Sequence, residues 1–515
     1  MKFRSVFLVL FLFIHFKSLA KIVLPALFAD NMVFQRDKPI PIWGKAGSRE
    51  AVTIRFKGQQ IKTSADRKGN WKMVLQPEPA GGPFEVLVFA TDTLLLKNVL
   101  VGEVWVCSGQ SNMEWTVIRS KDAGNEMKAA DFPFIRHFRL PKEINSEPYG
   151  DFSSGNWQIC SNSTVGDFTA VGYSFARKLY EELKVPIGLI NNSWGGTNIE
   201  TWISREAMEN SDEFKADMAT YPPMSMDSLN AILTRSTVKR ISQIIGVQIS
   251  PSATPFSQAN FNDSQWPEMN LPGYWEQKQL GEMDGVVWFR KTVQLPDTLA
   301  GKKAILNLLQ IEDQDVAYVN GVQVGRSNDW GVFRRYEIPA GVLKSGDNVI
   351  AVRVTDLGGN GGIMGESTSM SLKAGNNSIA LAGNWKFQVE SVRPQSAENL
   401  LPSLCYNSMV NPLISYPIKG VIWYQGESNV SRAFQYRKAF PLLIEDWRKK
   451  WNLGDFPFYF VQLTSYNSKG NSNEGCAWAE LREAQTMALS LPNTGMCVTT
   501  DVGNPSDIHP LIKRR

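Results

Sequence analysis

The sequence predicts an α/β protein organised on a parallel sheet, with β-rich segments before and inside the α/β part. Three observations carry this. Apolar strand-like runs alternate with helical periodicity over residues 100–248 and again over 396–515; short strands broken by Gly, Pro and Asp fill 21–99; and a further strand-rich stretch, 249–395, interrupts the α/β rhythm. Strands alternating with helices imply a parallel sheet covered on both faces, and ligands of such sheets bind beyond the carboxyl ends of the strands. A chain of 515 residues is long enough for about three domains.

Residues 1–20 open with Lys2 and Arg4, continue as an apolar run from Val6 to Ile14 and end Ser18-Leu19-Ala20. The run is far shorter than the roughly 20 residues of a spanning helix, and small residues stand where a signal peptidase cuts, so the expectation is a cleaved signal peptide and a secreted or periplasmic chain. No later segment is expected to span a membrane. The sequence holds 54 Lys and Arg against 50 Asp and Glu; without Lys2, Arg4 and Lys17 the formal charge is near +1, which gives no support to a nucleic-acid partner. The aromatic fraction of 11%, with 16 Trp, fits a secreted carbohydrate-active protein as well as a Trp-packed core.

From Lys21 to Val99 the strands read Met32–Gln35, Ile40–Trp43, Val52–Phe56, Trp71–Leu75 and Phe84–Phe89, a small β-sandwich. Next comes Val104-Trp105-Val106-Cys107, which stops at Ser108-Gly109-Gln110-Ser111-Asn112. Phe168, Val171, Phe175, Leu179 and Leu183 then recur at helical spacing over 167–183 and lead into the strand Ile187–Ile190. In the interrupting segment Val286–Lys291, Asp315–Gly321 and Asn348–Val354 alternate as strands, and Asn320-Gly321 is a two-residue hairpin signal. The α/β rhythm resumes with Gly420–Tyr424, a helix carrying Tyr436, Phe440, Leu443 and Trp447, the strand Phe458–Val461, a helix over 481–489 and the strand Met496–Thr499.

Chemistry concentrates where these strands end. The first corner reads as a strand delivering Ser111, and a serine hydroxyl attacks an ester only with an adjacent base. Of the three histidines, His15 lies in the leader and His137 reads as structural or surface, which leaves His509, with Asp507 two positions before it to hold one tautomer. Asp501 is the alternative orienter. The second strand end, Asn191 to Trp202, contains Gly195 and Gly196; the third is Gln425-Gly426-Glu427-Ser428-Asn429. Acyl transfer needs donors around an oxyanion, each worth about 3 kcal/mol, and the Ser111 amide, a Gly195 or Gly196 amide and a carboxamide from Gln425 or Asn429 qualify. Glu200 and Glu427 either react or orient the neighbouring loops.

The cysteines, Cys107, Cys160, Cys405, Cys476 and Cys497, are too few and scattered for a disulfide scaffold, and an odd one stays free. Cys107 and Cys497 are expected in buried strands. No Cys/His cluster has zinc-ligand spacing, so no metal site is expected.

Four ordered blocks resemble the sialate O-acetylesterase group of the SGNH-hydrolase superfamily and its acetyl xylan esterase relatives: Gly109–Glu114, Trp194–Thr197, Trp423–Asn429 and Asp501–Pro510. The stretch Leu24–Gln35 is similar too. The resemblance implies a flavodoxin-like three-layer α/β/α sandwich and, from Trp288–Lys291 and Asp315–Gly325, an inserted β jelly-roll of the sugar-binding kind. It implies Ser111 as nucleophile, His509 as general base, Asp507 as its orienter, and Gln110, Gly195, Gly196, Gln425, Gly426, Glu427 and Asn429 around oxyanion and substrate. No metal or organic cofactor is implied. The partner implied is an O-acetylated sugar or glycan, sialic acid before xylan. A non-catalytic carbohydrate-binding protein is the reading from another class. The similar esterases continue past the His-Pro pair into a final helix, whereas this sequence closes Leu511-Ile512-Lys513-Arg514-Arg515; the expectation is a truncated second part and a loosely held histidine loop.

Overall fold

A computed structural model describes residues 21–246, 249, 254–281, 283–393, 399, 401–466 and 476–513. The leader expected at 1–20 and the junction expected at 395–396 lie outside the described residues. The chain forms two compact units: one runs up to Pro223 and resumes after residue 397, and the other is Met224–Ala397.

In the first unit the strands lie in the order Thr494–Cys497, Phe458–Val461, Gly420–Tyr424, Thr93–Gly109, Ile187–Ser193, Phe132–Arg139, Trp157–Cys160. All neighbours are parallel except the last pair. Ile187–Ser193 and Gly420–Tyr424 are buried along their whole length, as parallel strands covered on both faces must be. From Thr93–Gly109 the chain passes toward one edge of the sheet, and it comes back at Gly420–Tyr424 to build the other. The carboxyl ends of these two strands therefore flank a topological switch point.

Thr93–Gly109 is a single strand of 17 residues that serves two sheets. Its first part pairs with Val33–Gln35 and Gly81–Phe89, and its last seven residues, from Glu103, pair with Ile187–Ser193. The strand thus runs unbroken across the boundary expected at residue 99. Gln59–Ser64, paired with Ala51–Phe56, was not foreseeable from pattern: its only large apolar residue is Ile61, and it lies at an edge.

Ala170–Leu183 forms the expected helix, capped by the Thr169 hydroxyl, which accepts the Gly172 N–H. Its buried face differs from expectation. Ala170, Gly172, Tyr173 and Ala176 are buried, Val171, Phe175 and Leu179 only partly so, and Leu183 is exposed. Small residues let the helix lie close on the strands: a Cβ at Gly172 would sit 2.9 Å from Cys107 Sγ. Ala433–Trp451 buries Tyr436, Phe440, Leu443 and Trp447 as expected. The last strand is Thr494–Cys497 rather than 496–499, and Cys497 is exposed because this strand forms the sheet edge.

The second unit begins with the helix Met226–Ile245, earlier than the boundary expected at 249, because Ile241 and Ile245 join its core. Two six-stranded sheets contribute to that core, for example Phe289 and Val352 from one and Leu306 and Ile363 from the other. Asn320 and Gly321 both take positive φ between Gln314–Val319 and Val322–Ser327, as the hairpin signal demands. No helix among the described residues is long and apolar enough to cross a membrane.

Candidate active site

Ser111 opens a one-turn helix, Ser111–Glu114, directly after the central strand. The turn depends on Gly109, whose φ is +130° and where a Cβ would lie 2.1 Å from the Tyr424 carbonyl oxygen. Gln110 then locks the corner to the neighbouring strand end: its N–H donates to Tyr424 O at 2.9 Å, and its Oε1 accepts the N–H groups of Gly426 and Ser428 at 3.2 and 3.3 Å.

His509 Nε2 lies 2.9 Å from Ser111 Oγ, across 398 positions of sequence, and the carboxylate facing His509 Nδ1 is that of Asp507, at 3.4 Å. Asp507 Oδ1 also accepts the His509 backbone N–H at 2.8 Å. The imidazole stacks on Trp115, centroids 5.3 Å apart and planes 20° apart. Asn112 docks the whole loop. Its Nδ2 donates to the Ile508 carbonyl at 2.9 Å and to Glu427 Oε1 at 2.6 Å, and its Oδ1 accepts from Lys513 Nζ. The Lys513 ammonium also lies over the Trp115 and Tyr424 rings, at 5.2 and 5.8 Å. The histidine loop expected to be loosely held is thus fastened to the nucleophile helix.

Burial pushes Glu427 upward, opposed by the Asn112 hydrogen bond, and pulls Lys513 down to about 7 against the attraction of Glu427 and Asp507. His509 is held below its ordinary value, chiefly by burial; Asp507 opposes, while Lys513 and Arg119 act in the same direction as burial. A base must be neutral, so activity rises with pH as the imidazole loses its proton. The expected midpoint of kcat/KM lies below the ordinary histidine value of about 6.5. A pH–rate profile with its midpoint above that value would contradict the assignment of His509 as base.

The donors sort differently from expectation. The N–H groups of Ser111 and Gly196 donate to no group among the described residues, whereas the Gly195 N–H donates to Glu114 Oε2 at 2.9 Å. Gln425 Nε2 donates to Thr197 O and Asn429 Oδ1, and Asn429 Nδ2 to both oxygens of Glu200. Both carboxamides expected as oxyanion donors are therefore engaged in holding the second and third strand ends together, because both side chains are buried behind the turn. Glu200, paired with Arg432 at 2.6 Å, belongs to this scaffold, and Glu427 orients Asn112. His137 is a core residue stacked on Phe168 at 4.5 Å, with burial holding it down to about 3.

The family of carbohydrate esterases described as sialic acid-specific acetylesterases matches residues 101–233 and 397–511, the stretches that carry this constellation. The sialate O-acetylesterase of Mus musculus is 26% identical over 529 residues, covering 95% of this chain and 70% of that protein. That of Homo sapiens is 31% identical over 527 residues, covering 94% and 67%. The chain belongs to the sialate O-acetylesterase family. A crystal structure of a carbohydrate acetylesterase from Xanthomonas citri shares the fold of this family member, with 26% identity, a TM-score of 0.58 and coverage of 96% of this chain and 72% of its own. Residues 253–360 also match the second all-β domain of β-galactosidase.

Sequence reasoning singled out the family blocks but not every residue that works in them. Asn112, Glu114, Trp115 and Lys513 all touch the histidine or glycine loops. For Asn112 and Glu114 a signal existed: both follow the nucleophile on one helical turn and must face its surroundings. Lys513 carried none.

Proposed function

We propose that this carbohydrate O-acetylesterase removes acetyl groups from sialic acid through an acyl-enzyme formed on Ser111, and that it works outside the cytoplasm. The observation that carries the mechanism is the 2.9 Å contact between Ser111 Oγ and His509 Nε2 at the switch point of the sheet. With a proton on Nδ1 facing Asp507, Nε2 accepts the serine proton as Oγ adds to the acetyl carbonyl carbon. The resulting oxyanion meets the Ser111 and Gly196 amides. Collapse breaks the ester C–O bond, and the sugar hydroxyl leaves with the proton returned by His509. Water, deprotonated by the same imidazole, then attacks the acyl carbon and releases acetate, regenerating Ser111.

The apolar run and small residues of 1–20 support export through a cleaved leader. The parallel strand order supports an SGNH-type α/β/α sandwich, and the paired antiparallel sheets of 224–397 support an inserted jelly-roll of the sugar-binding kind. The names of the relatives support sialic acid as the sugar. Purified protein is expected to release acetate from 9-O-acetylated sialic acid at least about tenfold faster than from acetylated xylan, a difference of about 1.4 kcal/mol. The opposite ranking moves the substrate to plant polysaccharide, and silence toward a chromogenic acetate as well would leave a carbohydrate-binding protein.

A further inference from the structure

Beside the nucleophile two cations meet one carboxylate. Glu114, three residues after Ser111, accepts the Gly195 N–H through Oε2 at 2.9 Å; its Oε1 meets Lys142 Nζ at 2.7 Å and Arg139 Nη2 at 3.3 Å. The Glu114 side chain is 20% exposed, but those of Arg139 and Lys142 are 50% and 39% exposed, so both cations keep open surface. The next acid along, Glu143, is turned to the Ser153 hydroxyl. Among these contacts one positive charge is left over.

The group adjoins the nucleophile corner. Arg139 is the last residue of Phe132–Arg139, at the carboxyl end of the sheet where Ser111 also lies. Gly195 packs on the nucleophile closely enough that a Cβ there would sit 3.2 Å from Ser111 Cβ. Glu114, bonded to Gly195 on one side and to both cations on the other, links them to the nucleophile's surroundings. Lys142 Nζ lies 6.0 Å from the centre of the half-buried Trp194 ring, which offers an apolar face next to the charge.

Resting on the O-acetylesterase reading above, we propose that Arg139 and Lys142 bind the carboxylate of an acidic sugar whose acetyl ester lies at Ser111. A sialic acid acetylated on its glycerol tail carries ester and carboxylate at opposite ends of one skeleton, so a single molecule offers an ester for Ser111 and an anion for the cations. A neutral acetylated xylan has no anion to offer, and the surplus charge gains nothing from it. An Arg fork and a Lys ammonium are suited to a carboxylate, and hydrogen bonds to charged groups are the stronger kind. Were the cations only braces for Glu114 and the Gly195 loop, losing them would slow every ester in the same proportion.

The test compares acetate release from 9-O-acetylated sialic acid with release from its C1 carboxamide, which has nearly the same shape but no charge. The wild-type protein is expected to prefer the acid by about tenfold in kcat/KM, equivalent to about 1.4 kcal/mol. The double variant Arg139→Gln, Lys142→Gln should abolish that preference through KM, Arg139→Lys should keep most of it, and added salt should weaken it in the wild type. Equal use of both sugars by the wild type, or a double variant that keeps the preference, overturns the inference while leaving the esterase reading intact. Failure of the wild type to release acetate from either sugar, while it still cleaves a chromogenic acetate, overturns the sialic acid reading, and the inference with it.

Discussion

Ser111→Ala is expected to lower acetate release by at least about a thousandfold while the protein folds normally. The serine is half-buried and its hydroxyl bonds to His509, so removing one oxygen leaves the strand, the Gly109 turn and the Gln110 clamp in place. What disappears is the nucleophile, and the residual rate then comes from the oxyanion donors and substrate binding alone, as in other serine triads. An organophosphonate should label the peptide containing Ser111 in the wild type and not in the variant. A variant within tenfold of the wild-type rate would remove Ser111 from the mechanism.

Asn112→Ala is expected to cost about a hundredfold, nearly all in kcat. Asn112 never meets the reacting atoms in this reading; it holds the Ile508 carbonyl, and so fixes where the next residue, His509, stands relative to Ser111. A shift of about 1 Å between base and nucleophile is enough for a hundredfold loss. The variant also takes from the Glu427 carboxylate the amide donor that its Oε1 accepts at 2.6 Å. Glu427→Gln keeps an oxygen facing Asn112 Nδ2 and should retain most activity, whereas Glu427→Ala should resemble Asn112→Ala. Steady-state kinetics on a chromogenic acetate, with circular dichroism to confirm folding, decides this. A loss confined to KM, or a rate within threefold of wild type, would show that the loop is positioned by other contacts.

Much of the site was legible because the chemistry sits where strand patterns stop. The apolar run up to Cys107 ends at a glycine, and the same break follows Tyr424, so the corners that carry Ser111 and Gln425 stood out against buried strand sequence. The roles of the carboxamides were not legible. Gln425 and Asn429 have the right groups for an oxyanion, and only three-dimensional packing reveals that Thr197 and Glu200 already engage them. The same limit applies to the helix Ala170–Leu183, where periodicity favoured the large apolar residues although the close approach of the sheet selects Ala and Gly. Cys497 followed a strand-like pattern whose position at a sheet edge depends on strand order, which no local window contains.

The long strand Thr93–Gly109 gives the N-terminal sheet a share in catalysis without any contact to substrate. Leu95 and Leu96 pair with Leu87 and Val86 in one sheet, and the same unbroken backbone carries Ser108 and Gly109 in the other. The first hundred residues therefore cannot be cut away as a detachable cassette: deleting them removes Thr93–Leu100, the first eight residues of the nucleophile's own strand, together with the sheet those residues pair in. Local opening of that sheet and loss of a competent serine become one event, so amide-exchange protection around Leu96 should track the active fraction of the enzyme as it is heated.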